Sequence, residues 1–194
     1  MKYVLIRGAK DDGKSTTIDS VCKQLKPSRI QRLNINEENL EIVDNTIDIQ
    51  NGTFIIEVNG KIILVVAGTP TEQKITITVI IEIVIKLKIK IDYAIVAIRS
   101  FEKKDGFDTG NELAKYGDCI LEERIYRIDD DKNHDDENWF KDTEVWNKRI
   151  FKIVSCLYNE LKDHSVIHTS DILTTSEVPE IIGRMAKILI GDSD

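Results

Sequence analysis

Apolar residues fall into two rhythms along this chain, and the switches between them mark the elements. Residues 3–6 (Tyr3-Val4-Leu5-Ile6) are a short continuous apolar run, which reads as a first strand over 2–7. Ile18, Val21, Cys22 and Leu25 then recur at helical spacing, giving a helix over 14–25 that Pro27 stops. Between 28 and 52 the rhythm is lost. Ile35, Leu40, Ile42, Val43, Ile47 and Ile49 are scattered among Asn34, Asn36, Glu37, Glu38, Asn39, Asp44, Asn45 and Asp48. That stretch predicts a long polar connection with one or two short elements. Phe54–Val58 and Lys61–Ala67 follow, joined by Asn59-Gly60, the strongest short hairpin signal. The second and third strands are therefore expected to be antiparallel, with the third central and buried.

Residues 69–91 carry two signals at once. Thr69-Pro70-Thr71-Glu72 is a helix start, with Thr69 as N-cap, Pro70 at the first position and Glu72 closing a capping box. The odd-numbered residues from Ile75 to Ile91 alternate as in a strand, yet Lys74, Thr78, Glu82, Lys86 and Lys90 form a polar stripe at i, i+4. Parallel third and fourth strands also need a crossover, so the expectation is a helix held by packing. Asp92–Ile98 is the fourth strand, ending at Arg99-Ser100. A short helix is expected near Asn111–Tyr116, a strand over Ile120–Ile128, a long helix over Asn138–Lys162, a strand His164–His168 and a closing helix after Thr175. The whole, 1–194, reads as a single α/β domain.

The chemistry lies between the first strand and the first helix. Gly8-Ala9-Lys10-Asp11-Asp12-Gly13-Lys14-Ser15, then Thr16-Thr17, fits G-x-x-x-x-G-K-[ST] in the strand–loop–helix setting that motif requires. A phosphate needs converging backbone N–H groups, a helix N-terminus behind it and a cation on a flexible stem. Gly8 and Gly13 free the backbone for this, and the loop from Gly8 through Asp12 would line the phosphates. Lys14 would reach the β- and γ-phosphates, and the Ser15 hydroxyl would ligate Mg²⁺. Thr16 or Thr17 would meet an inner phosphate. Asp11 and Asp12 bring repulsive charge into the loop, at small cost if both face solvent. In open α/β sheets, ligands sit outside the carboxyl ends of the strands. Arg99 is therefore the first candidate to stabilise charge during phosphoryl transfer, and Lys14 with Arg99 makes the catalytic pair.

On these residues, 3–17, the chain resembles the P-loop NTPase superfamily. The resemblance implies a three-layer αβα sandwich, with a mostly parallel sheet of about six strands and one antiparallel hairpin strand at about 53–67. The order strand, loop, helix, long connection, hairpin is closer to the small-GTPase branch than to the adenylate-kinase branch. Two departures matter. The D-x-x-G motif has Val65 where its Asp should be, although Gly68 is present, and no Asp or Glu lies between Ile62 and Thr71. Glu57, Asp44, Asp48 or a loop aspartate would have to replace the missing carboxylate. The base-reading N-K-x-D is absent after the fourth strand, so ATP is favoured over GTP. The resemblance implies Mg²⁺-dependent nucleoside triphosphate hydrolysis or phosphoryl transfer, the latter with residues 100–118 as a lid over a small acceptor. The alternative is a catalytically weak nucleotide-binding switch gated by residues 28–52 and acting on a protein partner. Thr46 or Thr53 would then sense the γ-phosphate.

Composition narrows the partners. The net charge of −7 argues against nucleic acid, which asks for a basic face. The three cysteines, Cys22, Cys119 and Cys156, are far apart without metal-ligand spacing, so buried free thiols in a reducing cytoplasm are expected. No membrane span is expected, because Glu82, Lys86, Lys88 and Lys90 interrupt the longest aliphatic stretch. The acidic run 129–137 lacks the spacing of an EF-hand and reads as a solvated loop. Trp139 and Trp146 read as packing anchors, and His168 as a hydrogen-bonded histidine rather than a catalytic base.

Overall fold

A computed structural model describes residues 1–44, 46–125 and 144–162. All the described residues but the last of them belong to the unit Met1–Leu161. The fold is α/β. In order come β1 (Lys2–Gly8), α1 (Lys14–Leu25), β2 (Arg29–Asn34), β3 (Asn39–Ile42), β4 (Thr53–Val58) and β5 (Lys61–Val66). Next are α2 (Pro70–Gln73), α3 (Ile77–Lys86), β6 (Tyr93–Arg99), a 3-10 turn Glu102–Asp105, α4 (Thr109–Leu113), β7 (Asp118–Arg124) and α5 (Glu144–Lys162).

One sheet of seven strands runs β3-β2-β4-β5-β6-β1-β7. The half β5-β6-β1-β7 is parallel, and β3, β2, β4 and β5 pair antiparallel. The sheet is thus evenly mixed, where a mostly parallel one of about six strands was expected. The difference arises in residues 28–52, whose two short elements are strands that extend the β4–β5 hairpin outward. At that hairpin's tip, Asn59 and Gly60 both take positive φ, 51° and 71°. This backbone twist matches that of the flanking strands.

Both faces of the sheet are covered. Val4 and Ile6 of β1, Val65 of β5 and Ile95 of β6 pack against Ile18, Val21, Cys22 and Leu25 of α1 and against Ile150, Ile153, Leu157 and Leu161 of α5. On the other face Leu5, Leu64, Val66, Val96 and Ile98 meet Ile77, Ile80, Ile81 and Val84 of α3 and Leu113 of α4. The predicted crossover helix is real but broken in two. Thr69 and Glu72 form the full capping box of α2. Lys74 then turns left-handed (φ 55°), and Thr76 caps α3 afresh. Alternating isoleucines over 77–86 are helical because that face is buried on the sheet, which outweighs their β-propensity.

Of the cysteines, Cys22 is buried, Cys119 is exposed and Cys156 is half-buried; all three are free thiols. The expected burial thus holds for Cys22 and fails for Cys119, which the edge strand β7 leaves in water. Trp146 is a packing anchor as expected. Trp139, His168, the acidic run 129–137, the strand 164–168 and the helix after Thr175 lie outside the described residues. Among the described residues no helix is long and apolar enough to cross a membrane.

Candidate functional site

β1 ends at Gly8, and α1 starts at Lys14 with Gly13 as its N-cap, at φ 80° and ψ 20°. Only glycine adopts that left-handed turn without cost. No acidic side chain occupies the first turn of α1. The N–H groups of its first turn have no intrahelical partners and point back at the loop. This is the arrangement that favours an anion.

The carboxyl ends of the parallel strands gather the other candidates here. Gly8 pairs with Arg99 across β1 and β6, and Ser100 N–H donates to the Gly8 carbonyl at 2.9 Å. Arg99 is close enough for its charge to act on Lys14. Lys14 is 6% exposed, and its ammonium donates to the Ala9 carbonyl. Burial pushes its pKa below the ordinary lysine value. Glu72 is the strongest charge opposing that shift, followed by Asp12, while Arg99 adds to it.

The two loop aspartates part company. Asp11 faces solvent at φ 61°. Asp12 is only 6% exposed and turns inward, its Oδ2 accepting the Ala9 N–H at 2.5 Å. The sequence offered no sign of that turn. Ser15 and Thr16 are half-exposed in the first turn of α1. Thr17 is buried, donates to the Gly13 carbonyl at 2.9 Å and accepts from Trp146 Nε1 at 3.3 Å. Its hydroxyl thus ties the loop's cap to α5.

Glu72 is the carboxylate that sequence reasoning missed. It was legible only as the end of a capping box, and it does fill that role. Thr69 N–H donates to Glu72 Oε2 at 3.0 Å, and Glu72 N–H to Thr69 Oγ1 at 3.2 Å. The cap holds the side chain at the end of β5, on the loop's rim. The carboxylates proposed from sequence lie elsewhere. Glu57 pairs with Ile62 at the amino end of β5, the far edge of the sheet. Asp48 accepts from Lys23 at 2.7 Å beside the third turn of α1. Asp44 accepts from the Thr46 N–H at 2.9 Å, which holds its carboxyl below its ordinary range.

Thr46 is exposed and part of that turn, whereas Thr53 is buried and donates to Gln73 Oε1 at 3.1 Å. Gln73 in turn donates to the Gly68 carbonyl. Ala67 and Gly68 N–H both donate to the Gly52 carbonyl, at 2.8 and 3.2 Å. A Cβ on Gly68 would stand 3.0 Å from the Asn51 carbonyl carbon. Gly68 therefore lets the turn before β4 lie flat against the segment leading to Glu72.

No protein-family model, no curated protein and no solved structure matches this chain. The functional reading thus rests on the site itself.

As for a metal, no group of three or more His, Cys, Asp or Glu side chains is placed to hold one among the described residues. Ser15 and Glu72 are the groups on hand.

Proposed function

We propose that this chain binds a nucleoside triphosphate, ATP in preference to GTP, through Gly8–Ser15 and Thr16, with Mg²⁺ bound alongside. The observation that carries the reading is the loop's geometry. A buried lysine and a left-handed Gly13 stand at an anion-favouring helix start, at the carboxyl edge of the parallel strands. Lys14 would pair with the β- and γ-phosphates, whose charge offsets the burial that disfavours the ammonium. Arg99 would steady the negative charge of the transferring group. Ser15 would hold Mg²⁺ with the phosphate oxygens, and Glu72 would orient its water. The metal's chemistry is to neutralise the phosphate oxygens. The proposed activity is hydrolysis or phosphoryl transfer.

A second reading, a nucleotide-binding switch with slow turnover, has its own support. Asp12 folds into the loop, and one Glu72 oxygen is engaged in a cap.

Thermal melting of the full chain with ATP, GTP and ADP, each with and without Mg²⁺, tests the proposal. A ligand that binds only the folded state raises the midpoint. A rise with ATP and Mg²⁺ is expected, with a smaller one for GTP. No rise with any nucleotide would overturn the proposal. Phosphate release then separates enzyme from switch.

Glu72→Gln is a clean test of the carboxylate, because glutamine still completes a capping box. The variant is expected to melt within about 0.5 kcal/mol of the parent, as a change outside the core does. The Mg²⁺-dependent gain in ATP affinity should fall roughly tenfold, the worth of one hydrogen bond to a charged group. An unchanged Mg²⁺ requirement, measured by calorimetric titration, would remove Glu72 from the site.

A further inference from the structure

We infer that Asp12 is an intramolecular competitor for the anion seat of the loop, and so the residue that sets how tightly phosphates bind. The inference rests on the phosphate-loop reading above. Its carboxylate already does what a phosphate oxygen would do. Oδ2 accepts a loop N–H, that of Ala9, at 2.5 Å, in a site where the side chain is 6% exposed. Gly8 shows how closely the acid and the lysine share this space. A Cβ there would lie 3.2 Å from Asp12 Oδ2 and 3.2 Å from Lys14 Cγ. Asp12 is also, after Glu72, the strongest charge holding Lys14 protonated. The loop thus satisfies two of its own donors, Ala9 N–H by Asp12 and the Lys14 ammonium by the Ala9 carbonyl.

An incoming polyphosphate must displace Asp12 and accept the repulsion of a carboxylate beside it. A single phosphate replaces the lost bond with little surplus, whereas a triphosphate chain with its metal makes several charge-assisted bonds. Asp12 therefore filters out weak anions and keeps the loop for triphosphates. Asp11, next to it in sequence and equal in charge, is the graded comparison: it faces solvent and is the weaker of the two charges acting on Lys14.

The test is calorimetric titration of the full-length protein with ATP and Mg²⁺ at about 0.15 M salt, where surface charge is screened beyond about 8 Å. Asp12→Ala is expected to bind roughly tenfold tighter than the parent, the worth of one hydrogen bond to a charged group. Asp11→Ala is expected to gain much less than Asp12→Ala. Asp12→Asn keeps an oxygen for the Ala9 N–H without the charge. It should gain an intermediate amount, and it stands in if the alanine variant does not fold. Equal or weaker binding by the Asp12 variants would overturn the competitor, as would the same gain in Asp11→Ala. In both cases a measurable parent affinity that Lys14→Ala abolishes would leave the phosphate-loop reading standing. If neither parent nor variants bind ATP, that reading falls and the competitor falls with it.

Discussion

Lys14→Ala is expected to lower ATP affinity by about a hundredfold or more while leaving the fold in place. Two charge-assisted hydrogen bonds to phosphate oxygens, at ~1.5–3 kcal/mol each, account for that loss. The effect is large because Lys14 is buried, where charges interact more strongly than in water. The same burial explains why stability should survive. The folded pKa of Lys14 lies below its ordinary value of 10.5, with burial as the main cause, against the opposing pull of Glu72 and Asp12. A lowered lysine pKa means that the ammonium costs stability at neutral pH. That cost fades as the pH rises through the folded value toward 10.5. Removing the group loses its bond to the Ala9 carbonyl but also removes the cost. Lys14→Met, which keeps most of the stem, should therefore melt at or above the parent at pH 7, and the gap should close at high pH. Unchanged ATP affinity in Lys14→Ala would sink the phosphate-loop assignment outright.

What could be read from sequence was what is decided locally. The Asn59-Gly60 turn, the Thr69–Glu72 cap and the Gly13-Lys14 helix start each depend on a few neighbouring residues. All three are present as read. β2 was unreadable for a specific reason. Ile30 and Leu33 stand three apart, so in a strand they face opposite sides, and each packs into a different core. Neither a period of 2 nor one of 3.6 emerges from a strand that buries one residue on each face. The break at Lys74 was hidden because a left-handed lysine has no sequence mark. The strand order was hidden because β1 sits between β6 and β7, each about 90 or more residues away.

The site divides the same way. The loop spells its own motif, so Gly8, Gly13, Lys14 and Ser15 were legible. Whether Asp12 faced water or the loop depended on which N–H lay within its reach, and the neighbouring Asp11 shows that the residue type does not decide. Glu72 was legible in one role and not in the other. A capping residue is recognised by spacing, but its approach to Lys14 requires β5 and β1 to end at the same rim.

Phe54→Ala is expected to be the most damaging single truncation for stability, and its consequences should reach the site. Phe54 is 1% exposed and among the largest fully buried side chains of the described residues. It packs in the core between α1, α5 and the sheet, with the Arg32 guanidinium 5.9 Å from its ring centroid. Removing a buried phenyl group costs about 3–5 kcal/mol, from lost transfer energy and from the cavity left behind. For a domain of this size that corresponds to a fall in Tm of roughly 10 °C, at about 2–4 °C per kcal/mol. Chemical denaturation should show the midpoint falling at constant slope, the sign of lost stability rather than a changed unfolded state. The ring also supports the turn before β4. A Cβ on Gly52 would meet Phe54 Cε2 at 3.4 Å, and the Gly52 carbonyl holds Ala67 and Gly68. The turn that holds the segment leading to Glu72 thus lies beside this ring. Phe54→Leu refills most of the volume and should cost less than half as much. If the alanine variant loses less than about 1 kcal/mol, Phe54 is not packed in the core as described. If both variants keep full ATP affinity when folded, the turn and Glu72 are not coupled to the loop.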